Sequence, residues 1–126
     1  MDRSIRPNEI KLVRWLLDHA LVDVTTYRLR PLEELRVVGG CDCGCASLYF
    51  KPQEQRGNVQ MLADELAVYT DGQKAGLILW GREDEIAWLE VYDLQPESSH
   101  RVPDASNLCT WDELGRTDLE RSKRLH

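Results

Sequence analysis

Three of the chain's four cysteines fall within Cys41-Asp42-Cys43-Gly44-Cys45, directly after Val37-Val38-Gly39-Gly40. Thiols this close either share a ligand or redox task or are exposed to mutual oxidation. Thiolate sulfurs stand ~2.3 Å from a zinc ion, yet a strand rising ~3.3 Å per residue sets Cys41 and Cys45 about 13 Å apart. All three meet one ion only if the backbone turns tightly, which Gly39, Gly40 and Gly44 permit. The other metal set is two of the three with Cys109 and a histidine, His100 being the nearer histidine to Cys109. Zinc is the cofactor such a set would take. Cu(I) suits close thiolates, but no methionine cluster accompanies them.

A redox role is the second chemistry, because Cα atoms two residues apart on a strand sit near the upper limit for a disulfide. Catalysis would further require a stabilised thiolate. Arg36 and Lys51 are the nearest cations in sequence, Asp42 opposes ionisation, and no helix start follows the cluster. The third reading is burial of the cysteines as small hydrophobes at a crowded turn. A strand over Ala46-Ser47-Leu48-Tyr49-Phe50 then follows, with Ser47 and Tyr49 on one face and Leu48 and Phe50 on the other.

A second candidate site is read from Ile86 to Leu94, where alternation puts Ala87, Leu89 and Val91 on one face and Trp88, Glu90 and Tyr92 on the other. A carboxylate between two aromatics can form a ligand-binding face. The bland alternative is aromatic packing beneath a loop, with Glu90 reaching solvent.

The elements that must position these groups predict an α+β domain. Pro7 suits a first helical turn, and Ile10, Val13, Leu16, Leu17, Ala20 and Leu21 recur at helical spacing, so an amphipathic helix is expected to end near Asp23. Trp15 lies off that stripe and calls for a second packing layer. Val24 to Tyr27 favours a strand and Pro31 to Leu35 a helical turn, with a strand through Arg36-Val37-Val38. Runs at Ala46 to Phe50, Leu66 to Tyr69, Ala75 to Trp80 and Ile86 to Leu94 predict an antiparallel meander of four to five strands. Thr70-Asp71-Gly72-Gln73 and Gly81-Arg82-Glu83-Asp84 are its hairpin turns, and Pro52 to Asn58 is a polar loop. Ser98 to Leu108 reads as a connector, and Thr110-Trp111-Asp112-Glu113 as a capping box opening a short C-terminal helix whose last turns fray. The division is one domain over 1–126: helix in 1–23, antiparallel sheet in 36–94, connector in 95–109, short helix or frayed tail in 110–126.

Composition bounds the function. With 126 residues, 42% of them hydrophobic and 30% charged, the chain matches one globular domain able to bury a core. A net charge of −6 argues against nonspecific nucleic-acid binding, which depends on Lys and Arg neutralising phosphates. No window approaches the ~18 apolar residues of a membrane span, and residues 1–7 carry no apolar leader core, so a cytoplasmic protein without membrane contact is expected. In the cytoplasm, cysteines are free thiols, metal ligands or redox groups rather than staples.

Two resemblances enter here. The Cys-x-Cys-Gly opening is similar to the zinc-binding SEC-C motif, but the positions of that motif's further cysteines fall in Phe50-Lys51-Pro52-Gln53, which holds no ligand, so the assignment is rejected. Over Val37 to Leu108, the Cys-x-Cys-Gly-Cys segment, the later Leu89-Glu90 and the closing Pro103-Asp104 together resemble a group of small uncharacterised bacterial proteins. That resemblance implies no established activity, and it suggests that these three segments belong together in space. The expectation is therefore a noncatalytic binding or protein-interaction domain, using Trp88, Glu90 and Tyr92 with the cysteine turn toward a protein or small ligand. Strand edges leave a homodimer open. The alternative is a small metal-binding or thiol-redox protein using Cys43 or Cys45 with Glu90.

Overall fold

Pro7 fixes φ for a first helical turn, and the Glu9 carboxylate accepts the amide of Arg6 at 2.8 Å, so the first helix, α1 (Pro7–Asp18), begins there. The computed structural model describes residues 2–39, 46–95 and 101–113. α1 buries Leu12, Val13, Leu16 and Leu17, while Ile10, Trp15 and Ala20 pack partly buried against the same core. It ends at Asp18 rather than near Asp23. The amides of His19 and Ala20 turn back to Leu16 and Leu17, and the amide of Leu21 is drawn away to the Leu62 carbonyl at 2.8 Å. Leu21 thus leaves the apolar stripe and is 60% exposed.

Val24 to Tyr27 is not a strand. Asp23 accepts both the amide and the hydroxyl of Thr25, which bends the chain into a single 3-10 turn at Thr26–Arg28. A second turn at Leu32–Glu34 leads, as expected, into a short strand, β2 (Arg36–Val37), paired antiparallel with β1 (Arg3–Ser4).

The main sheet has five antiparallel strands: β3 (Leu48–Tyr49), β4 (Gln60–Val68), β5 (Lys74–Arg82), β6 (Glu85–Asp93) and β7 (Leu108–Cys109), in the spatial order β3-β6-β5-β4-β7. The meander β4-β5-β6 is its centre. Gly72, at φ +85°, makes the first hairpin turn together with the Asp71 side chain, which accepts the Gln73 amide. The second hairpin turns on Glu83 and Asp84, both at positive φ, while Gly81 and Arg82 belong to β5. Gly81 instead lets the Tyr27 ring and Leu62 close over the backbone: a Cβ there would lie 2.5 Å from Tyr27 Cε1 and 2.8 Å from Leu62 Cδ1.

α1 and the two 3-10 turns cover one face of the sheet, here called inner. Leu12, Val13, Leu16 and Leu17 meet Leu62, Ala63, Ala67, Leu77, Leu79, Leu89 and Val91 there in one buried cluster. The connector packs on the same helix, where Asn8 donates to the carbonyl of the buried Pro103 at 3.1 Å. Asp104 caps the turn at Ala105–Asn107, and the chain then adds β7 to the free side of β4, a strand the sequence reading had assigned to the connector. At Thr110 the expected capping box forms: the Thr110 hydroxyl accepts the Glu113 amide at 3.1 Å and Glu113 accepts the Thr110 amide at 3.3 Å. No described helix is long and apolar enough to cross a membrane.

Candidate functional site

The outer face of the sheet is built by register. Tyr49 stands opposite Trp88, Trp88 opposite Trp80, and Trp80 opposite Met61, one row across β3, β6, β5 and β4. The next row is Glu90, Ile78 and Asp64, and the third is Tyr92, Gly76, Leu66 and Cys109. The predicted alternation of β6 thus places Trp88, Glu90 and Tyr92 on one face, with Ala87, Leu89 and Val91 buried.

The aromatic row is continuous. Ring centroids are 5.8 Å apart for Tyr49 and Trp88 and 5.4 Å for Trp88 and Trp80, within the range of favourable offset contacts. The Arg56 guanidinium lies 3.8 Å from the Tyr49 ring centre and ends the row at the β3 edge. The Trp80 indole donates to Glu90 Oε1 at 3.0 Å, which holds the carboxylate against the rings instead of letting it swing to solvent. Asp64 takes the Trp111 indole N–H at 3.2 Å. Burial first, and then the charges of Asp64 and Glu90, push the Tyr92 hydroxyl above its ordinary range, so both carboxylates set a negative potential at the centre of the face.

Tyr92 owes its position to a glycine. Gly76 is buried under the Tyr92 ring, and a Cβ at Gly76 would lie 2.0 Å from Tyr92 Cζ. Gly76→Ala is therefore expected to lift that ring and cost about 1–2 kcal/mol in urea unfolding, as overpacking does. The companion variant Gly76→Ala with Tyr92→Ala should recover part of the loss; no recovery would contradict the close approach.

Cys41, Cys43 and Cys45 lie outside the described residues, as does His100. The residues that flank them are described. Gly39 forms an antiparallel bridge with Tyr49, and Ser47 exchanges hydrogen bonds with the Val91 backbone at the β3 edge. Cys109 is half-buried on β7, the opposite edge, about four strand spacings or ~19 Å away across the sheet. Burial, followed by the charges of Glu113 and Glu65, pushes its thiol up, which disfavours the thiolate needed for metal binding or attack. Among the described residues no group of three or more His, Cys, Asp or Glu side chains is disposed to hold a metal ion.

No protein-family model, curated protein or solved structure matches the chain. The site is therefore read from its chemistry. Trp80, Tyr49, Asp64 and Arg56 complete the face and were not picked out from sequence. The predicted turn at Gly81 to Asp84 would pair Trp80 with Glu85; a register irregularity between Trp80 and Gly81 sets Trp80 opposite Trp88 instead.

Proposed function

We propose that this chain is a noncatalytic binding domain whose outer sheet face takes a partner presenting cationic side chains on an apolar background, such as a basic peptide. The observation that carries this is the continuous row of Tyr49, Trp88 and Trp80 with Glu90 fixed beside it by the Trp80 indole. Aromatic faces attract an ammonium or guanidinium group, and an adjacent carboxylate supplies its counter-charge. Asp64 adds a second carboxylate to the same row as Glu90, and the net charge of −6 favours approach of a basic partner. The rings are half-buried and rigidly packed, so little side-chain freedom is lost on binding.

A peptide of alternating arginine and valine tests the proposal by tryptophan fluorescence titration. Saturable binding is expected, with the glutamate–valine counterpart inert. Glu90→Gln, which keeps the acceptor for Trp80 but removes the charge, should weaken binding about tenfold, equivalent to ~1.4 kcal/mol. The face is excluded if a folded Trp88→Ala, Tyr92→Ala double variant binds as the parent does. It is equally excluded if the acidic peptide binds as well as the basic one.

A further inference from the structure

A second feature lies away from the aromatic face, where the 3-10 turns at Thr26–Arg28 and Leu32–Glu34 meet the β5-β6 hairpin. A cleft of about 320 Å³ opens there, within the size range of small-ligand sites. Its apolar wall is Tyr27, Leu32, Val38, Phe50 and Ile86. Lys51, Gln55 and Glu85 form a wall that it shares with a neighbouring polar hollow of about 310 Å³, completed by Arg82 and Glu83.

The charges at this junction are unequally matched. Glu85 is the common partner of both Arg30 and Lys51. Hydrogen bonding from Lys51 first, and then the Lys51 and Arg30 charges with Arg30's own hydrogen bond, outweighs burial and holds the Glu85 carboxyl below its ordinary range. Arg82 has no ion pair among the described residues, and its Nε is buried without a hydrogen-bond partner there. Because Arg82 also lines the polar hollow, its guanidinium is the cation there left open to an incoming anion. Asp84 also lines the cleft, and its carboxylate accepts the Thr26 hydroxyl at 2.8 Å. In the polar hollow Lys51 and Arg82 stand with Glu83 and Glu85; Lys51 is committed to Glu85, which leaves Arg82 as the hollow's cation without an ion pair among the described residues.

We infer that the paired cavities form a site for a small amphipathic carboxylate, its apolar body lying against Tyr27, Phe50 and Ile86 and its carboxylate meeting Arg82 and Lys51. An apolar compartment opening onto a polar one with an uncommitted guanidinium discriminates against both purely polar anions and apolar amines. Binding needs no rearrangement of the sheet, because β5 and β6 hold Arg82, Glu85 and Ile86 on one hairpin.

Octanoate, octylamine and acetate are the probes, followed by nitrogen-edited NMR of the full chain. Octanoate is expected to move the Arg82 Nε–H signal and the amides of Lys51, Gln55 and Ile86 saturably. Octylamine and acetate should bind at least about tenfold more weakly, and Arg82→Gln should weaken octanoate by about the same factor. Lys51→Gln is the second variant should Arg82→Gln fail to fold, with the same expected loss. Equal binding of octylamine, undiminished binding by the folded variant, or no saturable shift up to about 10 mM octanoate would each overturn the assignment.

Discussion

Gly81→Val is expected to lower the unfolding free energy by about 3 kcal/mol, the upper end of the usual cost of overpacking a core. A Cβ at this position would stand 2.5 Å from Tyr27 Cε1, 2.8 Å from Leu62 Cδ1 and 2.9 Å from Tyr27 Cζ. Tyr27 and Leu62 are both buried, so neither can swing into solvent to make room. The β-branched side chain adds two further carbons to a space that already lacks room for one. Urea unfolding of the parent and variant, with a common slope, checks the value. A loss below about 0.5 kcal/mol, the range of ordinary surface substitutions, would show that Tyr27 does not pack on β5 at Gly81 as described.

Arg3→Ala should also cost about 3 kcal/mol near neutral pH, the low end for breaking a buried ion pair because Arg3 itself is partly exposed. Glu9 is 3% exposed, and Arg3 grips its two carboxylate oxygens at 2.8 and 2.7 Å. Burial would raise the Glu9 carboxyl, but the hydrogen bonds from Arg3 and the Arg6 amide, with the charges of both arginines, overcome it and hold the group below its ordinary value. A carboxyl depressed in the folded state contributes stability above its unfolded value and loses it as pH falls through the folded one. The gap between parent and Arg3→Ala is therefore expected to be widest at neutral pH and to close on acidification below the ordinary carboxyl range of about 4.3. Chemical denaturation across that range measures it, and a gap independent of pH would contradict the assignment.

What could be read from the sequence follows from how local the responsible interactions are. The alternation of β6, the turn at Asp71-Gly72 and the capping box from Thr110 to Glu113 depend on neighbours in the chain, and each stands where it was expected. Glu9 was hidden because a carboxylate counts as a solvent residue until Arg3 is folded back onto it. The early start of β4 at Gln60 was masked by the irregularity between Met61 and Ala63, which breaks the two-residue period. β7 pairs through only Leu66 with Cys109 and Ala67 with Leu108, and two residues carry no periodic signal. Gly81 read as a turn residue since nothing in its neighbourhood announces Tyr27, which arrives from far earlier in the chain.

The candidate face was half legible for the same reason. Trp88, Glu90 and Tyr92 share one strand, whereas Trp80, Tyr49 and Asp64 join them only through cross-strand register. The cluster Cys41 to Cys45 lies outside the described residues. Cys109, the other cysteine considered as a ligand, stands at the far edge of the sheet.

The central claim is that the outer sheet face is the binding surface, and the four indole N–H signals offer a direct reading of it. Trp80 and Trp88 lie on that face, while Trp15 packs against His19 and the core on the α1 side. In nitrogen-edited NMR with the arginine–valine peptide, the Trp80 and Trp88 indole signals are expected to shift together and saturate while that of Trp15 stays in place. Saturable binding that moves Trp15 and leaves Trp80 and Trp88 unmoved would contradict the account.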